Sequence, residues 1–314
     1  MKFPVFPEQA SAAAARVDFL YLALTGFSVV ILAIVFLPML YFILKYRRGK
    51  NVNRSPAHLP TMKMEVTWTT VLFFIGCGIF AWGAQLYFDN QSLPRDAMEI
   101  NVIGKQWMWR IQHANGHREL NQLHVPVGQN VKLTMASEDV IHSFYLPAFR
   151  IKQDVVPGRY SSEWFRATKP GVYHIFCAEY CGASHSKMIG QIFVMPPAEF
   201  QQWLTTGAPQ ETLAASGEKL FRELGCSGCH MGSTIVHAPR LEGLYGRHVP
   251  LQNGQFVSAD DKYIRDSILL PLTQITAGYS PVMPTYQGRV TEEELFELVA
   301  YIKSLGQQKT EENR

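Results

Sequence analysis

FCAEYCGASHSKM, residues 176–188, places two cysteines, a histidine and a methionine within thirteen residues. Thiolate, imidazole and thioether side chains are the ligands that select copper in electron-transfer sites on β-sandwiches. The alternative, a disulfide between Cys177 and Cys181 in an oxidising compartment, explains neither His185 nor Met188. We therefore interpret the stretch as a metal-binding loop that connects two strands of a β-sandwich.

Such a loop needs one more ligand from a distant strand, and His142 in DVIHSFYLP, residues 139–147, is the candidate. It precedes the loop by one strand pair and lies among apolar residues. A single cysteine would indicate a mononuclear blue copper site. Two thiolates, two histidines and a thioether are more than one copper needs. They suit two copper ions bridged by the two sulfur atoms, with one histidine on each.

The residues around the loop, from Met98 to Met195, form short β-rich runs separated by Gly, Pro and Asn. Several such strands at close spacing predict a small β-sandwich or barrel over residues 93–196. Residues 197–211 mix a short helical piece with Gly-Ala-Pro and are interpreted as a linker. Helical patterns fill residues 212–314, where Thr291 and Glu294 form a capping-box pattern ahead of the last helix.

CSGCH, residues 226–230, is the C-x-x-C-H pattern that attaches haem c. Cys226 and Cys229 would form the two thioether bonds, and His230 would bind the iron. A zinc site that uses His237 and His248 is the alternative, because no second cysteine pair follows.

The other axial ligand of the iron follows by elimination. Met231 and Met283 are the two methionines after residue 211, and Met231 is too close to His230 to reach the opposite face of the ring. Met283 lies between prolines that favour an extended loop, and a helix follows it. This order resembles a class I cytochrome c, an all-α domain in which Met/His ligation raises the reduction potential. Ligation by His237 or His248, with a lower potential, is the alternative.

Two apolar runs without a charged residue, residues 19–44 and 66–88, precede the strands. Both exceed the roughly 20 residues that a helix needs to cross a bilayer, and neither shows the polar face of a buried amphipathic helix. The first run is too long for a signal-peptide core, and basic residues follow it instead of a cleavage site. Residues 1–92 are therefore predicted to be a transmembrane hairpin. A cleaved leader ahead of it is left open.

Segment 45–63, between the two runs, carries six basic residues and no acidic one. By the positive-inside rule this loop stays in the cytoplasm, so both ends of the chain lie outside, in the periplasm of a Gram-negative cell. The net charge of +3 therefore reflects a local excess and does not indicate nucleic-acid binding.

The loop pattern C-x-E-x-C-x-x-x-H-x-x-M resembles the dinuclear copper (CuA) loop of cytochrome c oxidase subunit II. This resemblance implies a cupredoxin-like fold for residues 93–196. The resemblance extends to the hairpin, to GKQWMWR (residues 104–110) and to HSFYLPAFRIKQDVVPGR (residues 142–159), and covers about residues 19–195. With a cytochrome c behind it, the chain resembles subunit II of a caa-type oxidase. The implied copper ligands are the bridging Cys177 and Cys181, one histidine for each copper (His142 and His185), and two weak axial groups, Met188 and the carbonyl of Glu179.

The resemblance also implies three roles outside the copper ligands. The Glu179 side chain would bind a magnesium or manganese ion at the border with subunit I, since carboxylates suit hard ions. Trp107 matches the aromatic residue where a docked donor passes its electron, with a packed core tryptophan as the alternative. Glu65 resembles the carboxylate at a proton-channel mouth, with an interface residue or a helix N-terminal charge as the alternative. The family often has a proline soon after this glutamate, and EVTWTTVLFF, residues 65–74, lacks it.

The implied function is a relay within a terminal oxidase of a bacterial inner membrane, with the soluble domains on the periplasmic face. An external cytochrome or copper protein would reduce the haem, and the electron would pass to CuA and on to subunit I. Oxygen would be reduced to water there, coupled to proton translocation, and subunit III would complete the assembly. The alternatives are the electron-entry subunit of a nitric oxide reductase and a membrane-tethered electron carrier. Glu179 and Glu65 argue against the carrier.

Overall fold

The computed structural model describes residues 6–53, 61–206, 211–231 and 238–311. Two long helices open the chain, α1 (Ala14–Lys45) and α2 (Thr61–Gln91), and both are long and apolar enough to span a membrane. Their side chains are exposed along most of their length. The predicted pair of apolar helices is confirmed, whereas the basic residue Arg54 lies outside the described residues.

Ten strands follow and form two five-stranded sheets. The strands are β1 (Met98–Lys105), β2 (Met108–His113), β3 (Arg118–Leu120), β4 (Gln122–Pro126), β5 (Asn130–Ser137), β6 (His142–Leu146), β7 (Ile151–Val155), β8 (Ser161–Arg166), β9 (Gly171–Cys177) and β10 (Ile189–Met195). The first sheet has the order β3-β2-β1-β5-β8 and the second the order β4-β10-β9-β6-β7. Trp109, Phe144 and Phe149 are fully buried in the core between them. The predicted cupredoxin-like sandwich is confirmed.

The second sheet positions the metal-binding loop. β6 pairs with β9 so that Phe144 lies opposite Cys177. His142, at the start of β6, therefore lies beside the end of β9, from which the loop to β10 departs. Because side chains alternate along a strand, His142 and Phe144 point to the same side of the sheet, toward the core.

The segment before α1 is built into the sandwich. Ala10 is fully buried, its N–H donates to the carbonyl of Ala148 (2.9 Å), and its own carbonyl accepts from the N–H of Thr168 (2.8 Å). Arg150 forms two 2.8 Å hydrogen bonds to the carboxylate of Asp18, in the second turn of α1. These contacts fix the start of the first helix to the sandwich.

Helix α3 (Pro197–Thr205) occupies the first part of the predicted linker 197–211, of which residues 207–210 lie outside the described residues. The helix packs on the sandwich, where Phe200 is buried and the Trp203 ring stacks on the His124 ring at 4.3 Å. Beneath it, the carboxylate of Glu119 pairs with His113 Nε2 at 2.8 Å and with His124 Nδ1.

Glu119 is expected to stabilise the fold in a pH-dependent way. Burial opposes its charge, but hydrogen bonds from His113 and His124 outweigh burial and lower its pKa below 4.5. A carboxyl group with a lowered pKa contributes stability above its unfolded pKa and loses that contribution as the pH falls through the folded value. We therefore expect Glu119→Gln to destabilise the chain by about 1.5–3 kcal/mol at pH 7, with the difference shrinking below about pH 4.5.

Thermal unfolding of the wild type and Glu119→Gln between pH 3 and 8 measures this difference. Glu8→Gln is the matched control, because Glu8 is 63% exposed and pairs with Lys169 at the surface. A difference that stays constant across the whole pH range would contradict the assignment.

The C-terminal unit is helical, as predicted. Its elements are α4 (Leu213–Glu223), α5 (Ser227–His230), β11 (His248–Pro250), β12 (Phe256–Ser258), α6 (Asp261–Leu269) and α7 (Glu292–Glu311). Helix α4 crosses α7 at Gly217, where a Cβ atom would lie 1.9 Å from the carbonyl oxygen of Glu297. The capping box is confirmed, since the Thr291 N–H donates to the Glu294 carboxylate and the Glu294 N–H donates to Thr291 Oγ1. The small hairpin β11–β12 adds a feature that the sequence patterns did not predict.

Candidate functional site

The five side chains predicted to hold copper meet at one end of the sandwich. Cys181 Sγ lies 3.8 Å from Cys177 Sγ and 3.7 Å from Met188 Sδ. His185 Nδ1 is 3.5 Å from the Cys181 sulfur. His142 Nδ1 is 4.0 Å from the Cys177 sulfur. Three of these side chains are almost completely buried: His142 and Met188 at 0% exposure and Cys181 at 2%.

The donor atoms fit a metal centre in spacing and in kind. Neighbouring donors 3.5–4.0 Å apart have the separation that a first-row metal with bonds of about 2.0–2.3 Å produces. The carbonyl oxygen of Glu179 adds a sixth donor, 3.2 Å from Cys177 Sγ. Within the described residues, the one group of three His, Cys or acidic ligand atoms that all lie within 4.8 Å of one another is His142, Cys177 and Cys181.

Two residues that the sequence analysis missed support these ligands. Asp139 accepts a 2.8 Å hydrogen bond from His142 Nε2, which leaves His142 Nδ1 free to face the sulfur atoms. Gln106 donates its backbone N–H to Asp139 (2.8 Å) and its side-chain amide to the carbonyl of Cys181 (2.8 Å). The carboxylate three residues before His142 was a visible signal, because metal-binding histidines commonly donate their second ring nitrogen to a carboxylate.

The two thiols differ in their acidity. Burial opposes ionisation of Cys177, but hydrogen bonds from His142 and neighbouring groups lower its pKa to about 6. Burial and the adjacent Cys177 thiolate raise the pKa of Cys181 to about 12. Of the two thiols, Cys177 therefore ionises first. Metal binding supplies the positive charge that allows both sulfur atoms to ionise.

Replacing Asp139 with asparagine is expected to weaken metal binding by about 10–100-fold, the usual effect of losing a supporting carboxylate. The asparagine amide keeps the size of the side chain. Its N–H₂ group, however, faces N–H donors and cannot accept the hydrogen bonds that the carboxylate accepts. Retention of copper during dialysis against a graded chelator measures the change. Asp96→Asn is the matched control, because Asp96 is exposed and pairs with Asn130 at 3.1 Å. Equal retention in the two variants would remove Asp139 from the site.

The other predicted site residues lie at different distances from this pocket. Trp107 is half-buried beside the loop, since a Cβ on Gly182 would lie 3.5 Å from its indole ring. The side chain of Glu179 is exposed, although its carbonyl points at the sulfur atoms. Glu65 is exposed near the N-terminal end of α2 and is not part of the pocket.

A second cavity fits a haem. It is lined by both cysteines of the C-x-x-C-H pattern, by His230 and by Met283. The Nδ1–H of His230 donates to the carbonyl of Pro239 at 2.8 Å, which leaves Nε2 available for iron. A smaller apolar cavity adjoins it and shares Cys226, His230 and Met283 with it. We treat the two as one haem cavity, whose inner wall is then formed by apolar side chains that include Leu224, Ile264, Ile268, Leu298 and Ile302.

The structure distinguishes the predicted iron ligands by position. Met283 packs against the apolar core of this domain and lines the same cavity as His230. His248, in contrast, is exposed on β11. His237, the other histidine alternative, lies outside the described residues.

Comparison with known proteins finds a family match in each of the two soluble parts of the chain. The family "Cytochrome C oxidase subunit II, periplasmic domain" matches residues 118–194, and the family "Cytochrome c" matches residues 214–306. Cytochrome c oxidase subunit 2 of Alkalihalophilus pseudofirmus is 30% identical over 296 residues, which cover 88% of this chain and 82% of that protein. Alternative cytochrome c oxidase subunit 2 of Bradyrhizobium diazoefficiens is 29% identical over 213 residues, covering 58% of this chain and 75% of that protein.

Among solved structures, the periplasmic domain of subunit II of cytochrome oxidase from Bradyrhizobium japonicum is 32% identical. It covers 37% of this chain and 96% of its own length, with a TM-score of 0.36. The loop of residues 176–188 lies in the first match, and the C-x-x-C-H pattern lies in the second. The chain therefore belongs to the cytochrome c oxidase subunit 2 family, with a copper-binding domain and a cytochrome c domain in one polypeptide.

Proposed function

We propose that this chain relays single electrons from a covalently bound haem c to a dinuclear CuA centre, and from there toward subunit I. The observation that carries the proposal is the convergence of two thiols, two imidazoles and a thioether in one buried pocket of the chain that also holds a haem cavity. Bound copper and haem supply one-electron chemistry. The protein fixes their ligands, excludes water and sets the potentials.

The positions of individual residues support the roles proposed for them. Cys177 and Cys181 would hold both coppers, because their sulfur atoms are adjacent and each faces a different histidine. The Met188 sulfur and the Glu179 carbonyl would be the weaker ligands. Cys226 and Cys229 would attach the haem, and His230 and Met283 would bind its iron. Residues 93–196 and 212–314 are the proposed copper and cytochrome domains.

The three remaining roles concern partners. The exposed carboxylate of Glu179 is free to share a magnesium or manganese ion with subunit I. Trp107 adjoins the copper loop, as a residue that passes electrons must. Glu65 lies on a helix whose exposed apolar surface fits a neighbouring membrane subunit, where it serves the mouth of a proton channel. Subunits I and III are the proposed membrane partners, and an external cytochrome or copper protein is the donor.

The fold supports a two-span topology. Ala10 and the sandwich are in direct contact, so both lie on the same side of the membrane. The chain between them must then cross the bilayer an even number of times, which α1 and α2 satisfy. With the basic segment inside, the soluble domains lie on the periplasmic face of a bacterial inner membrane.

The test is purification of the chain from membranes with its partners, followed by metal analysis, haem analysis and identification of the subunits. We expect two copper atoms and one haem c for each chain, together with an oxidase subunit I that reduces oxygen. Zinc in place of copper would overturn the relay. A co-purifying nitric oxide reductase subunit would instead support the alternative function, in which the partner subunit reduces nitric oxide.

A further inference from the structure

The cytochrome domain lies against the outer face of the first sheet. The Phe296 ring of α7 stacks on Tyr160 with the ring centres 4.8 Å apart and an interplanar angle of 12°. Phe296 also packs against Ile103 and Ala136, and all three side chains are at most 3% exposed. The two domains therefore share a small apolar core, which a transient encounter surface does not need.

Four charges form a closed square on one side of this core, with one acid and one lysine from each domain. Glu99 and Lys132 belong to the copper domain, and Asp261 and Lys303 belong to the cytochrome domain. The sides of the square are Glu99–Lys303 at 2.7 Å, Glu99–Lys132 at 3.1 Å, Lys303–Asp261 at 3.2 Å and Lys132–Asp261 at 3.5 Å. Burial opposes the charge on Lys303, but Asp261 and Glu99 raise its pKa above the usual value.

A second group of charges lies around Arg110 of β2. Its guanidinium pairs with Glu138 of the copper domain and, at 3.3 Å, with Glu293 of α7. Glu293 also pairs with Arg118 at 2.7 Å, and Arg118 reaches Glu297 at 2.8 Å. Single exposed ion pairs contribute little, but two networks around a buried aromatic contact specify one orientation of the domain.

The helices that rest on the sandwich are also the inner wall of the haem cavity. In α6, Ile264 and Ile268 line the cavity, whereas Asp261 faces the copper domain. In α7, Leu298 lines the cavity, whereas Phe296 faces the sandwich. The wall between the haem cavity and the copper domain is thus a single layer of helix, about 10 Å thick.

The surface of the copper domain that contacts the cytochrome domain is close in sequence to the copper ligands. Glu138, which Arg110 ties to the cytochrome domain, is followed in the chain by Asp139, which holds His142. The lining of the haem cavity also includes the exposed residues Cys229 and Val282, the latter at 61% exposure. The cavity thus has an exposed part that an external donor could approach.

We propose that the charge square and the Arg110 network hold the cytochrome domain in the pose from which its haem reduces the copper site. Arg110 and Lys303 are then positioning residues for that transfer. This inference rests on the proposed relay. The step moves one electron from ferrous haem to the oxidised copper pair, with no proton and no bond made or broken.

The charge square and the Arg110 network are together called the clamp. A charge swap in the assembled oxidase tests it. Lys303→Glu places three acids around one lysine, and adding Glu99→Lys restores two charges of each sign. The rate of electron transfer from haem to copper is followed optically after flash reduction of the haem. Like charges placed opposite each other at an interface weaken the association of the two surfaces. We expect Lys303→Glu to slow the transfer at least about tenfold, and the double variant to recover most of the loss.

A second readout does not depend on electron transfer. Hydroxyl-radical labelling of Phe296 and Tyr160 reports whether the interface is open, and labelling should rise in Lys303→Glu and fall again in the swap. Lys219→Glu is the matched control, since Lys219 of α4 and its partner Glu211, which precedes the helix, are 65% and 40% exposed. Copper content and the haem spectrum should not change in any of these variants.

The outcomes separate the clamp from the relay. A wild type with no haem-to-copper transfer would refute the proposed function itself. Transfer in the wild type with an equal rate and equal labelling in Lys303→Glu would refute the clamp alone. A slow variant that the Glu99→Lys change does not rescue would also refute it, because the loss would then not come from charge matching.

Discussion

Replacing Cys181 with serine is expected to remove the proposed dinuclear copper centre and to reduce oxidase turnover by at least about 100-fold. The expected loss exceeds that from a supporting residue, which already reaches about 10–100-fold. The Cys181 sulfur is the most connected donor of the site, with Cys177, His185 and Met188 all within 3.8 Å. A serine hydroxyl is neither soft nor ionised at neutral pH, so it does not replace a bridging thiolate. The measurements are copper per chain, the mixed-valence copper spectrum and turnover with a soluble donor.

The chain offers a matched control for this substitution. Cys77 lies in α2 and is exposed there, away from the copper ligands. Cys77→Ser should keep the copper, the spectrum and the turnover of the wild type. Turnover that survives in Cys181→Ser, with the copper lost, would show that electrons bypass this site.

Replacing Met283 with leucine is expected to remove the Met/His signature of the haem while leaving the copper spectrum intact. Leucine fills nearly the same volume, and such exchanges usually cost less than about 1.5 kcal/mol of stability, so the cavity should persist. Loss of the thioether should lower the haem potential by at least about 0.1 V, within the span of about 0.8 V that axial ligands cover. Transfer to copper then becomes less favourable. Potentiometric titration of the haem measures the shift.

Met231→Leu is the matched control for Met283→Leu. Met231 follows His230 directly and is 49% exposed, and its sulfur accepts a hydrogen bond from the Tyr301 hydroxyl at 3.6 Å. Its replacement should leave the potential unchanged. An unaltered spectrum and potential in Met283→Leu would assign the axial position to another residue, with His237 and His248 as the first to be tested.

The sequence predicted the copper donors because their chemistry is concentrated in one loop. Cys177 to Met188 share a short segment, and their soft donors have few other uses together. The same reasoning predicted His142, since a metal-binding loop between strands needs a further ligand from a neighbouring strand. Asp139 was missed because it is a carboxylate in a polar turn. Gln106 was missed because its contacts involve backbone groups, and such contacts leave no pattern in the sequence of side chains.

The contact between the copper domain and the cytochrome domain was not predicted, for a different reason. Glu99, Lys132 and Lys303 resemble ordinary solvated charges in the sequence, and only the packing of two separate domains brings them together. Helix α3 was similarly read as part of a linker, since its Gly-Ala-Pro continuation is typical of a connection between domains. Its burial depends on Trp203 meeting His124, a contact made across 79 positions of the chain. Long-range contacts of this kind have no local periodicity.

The segment around Ala10 has a consequence for how the protein is made. Its buried position beside Ala148 and Ala167 means that the sandwich is completed by residues on the far side of the hairpin in sequence. A water-soluble fragment that starts at the first strand would leave that slot empty and expose apolar surface along it. In the proposed two-span topology, the segment around Ala10 must cross the membrane before the copper domain can close on it, so membrane insertion and maturation of the metal centre would be linked in time.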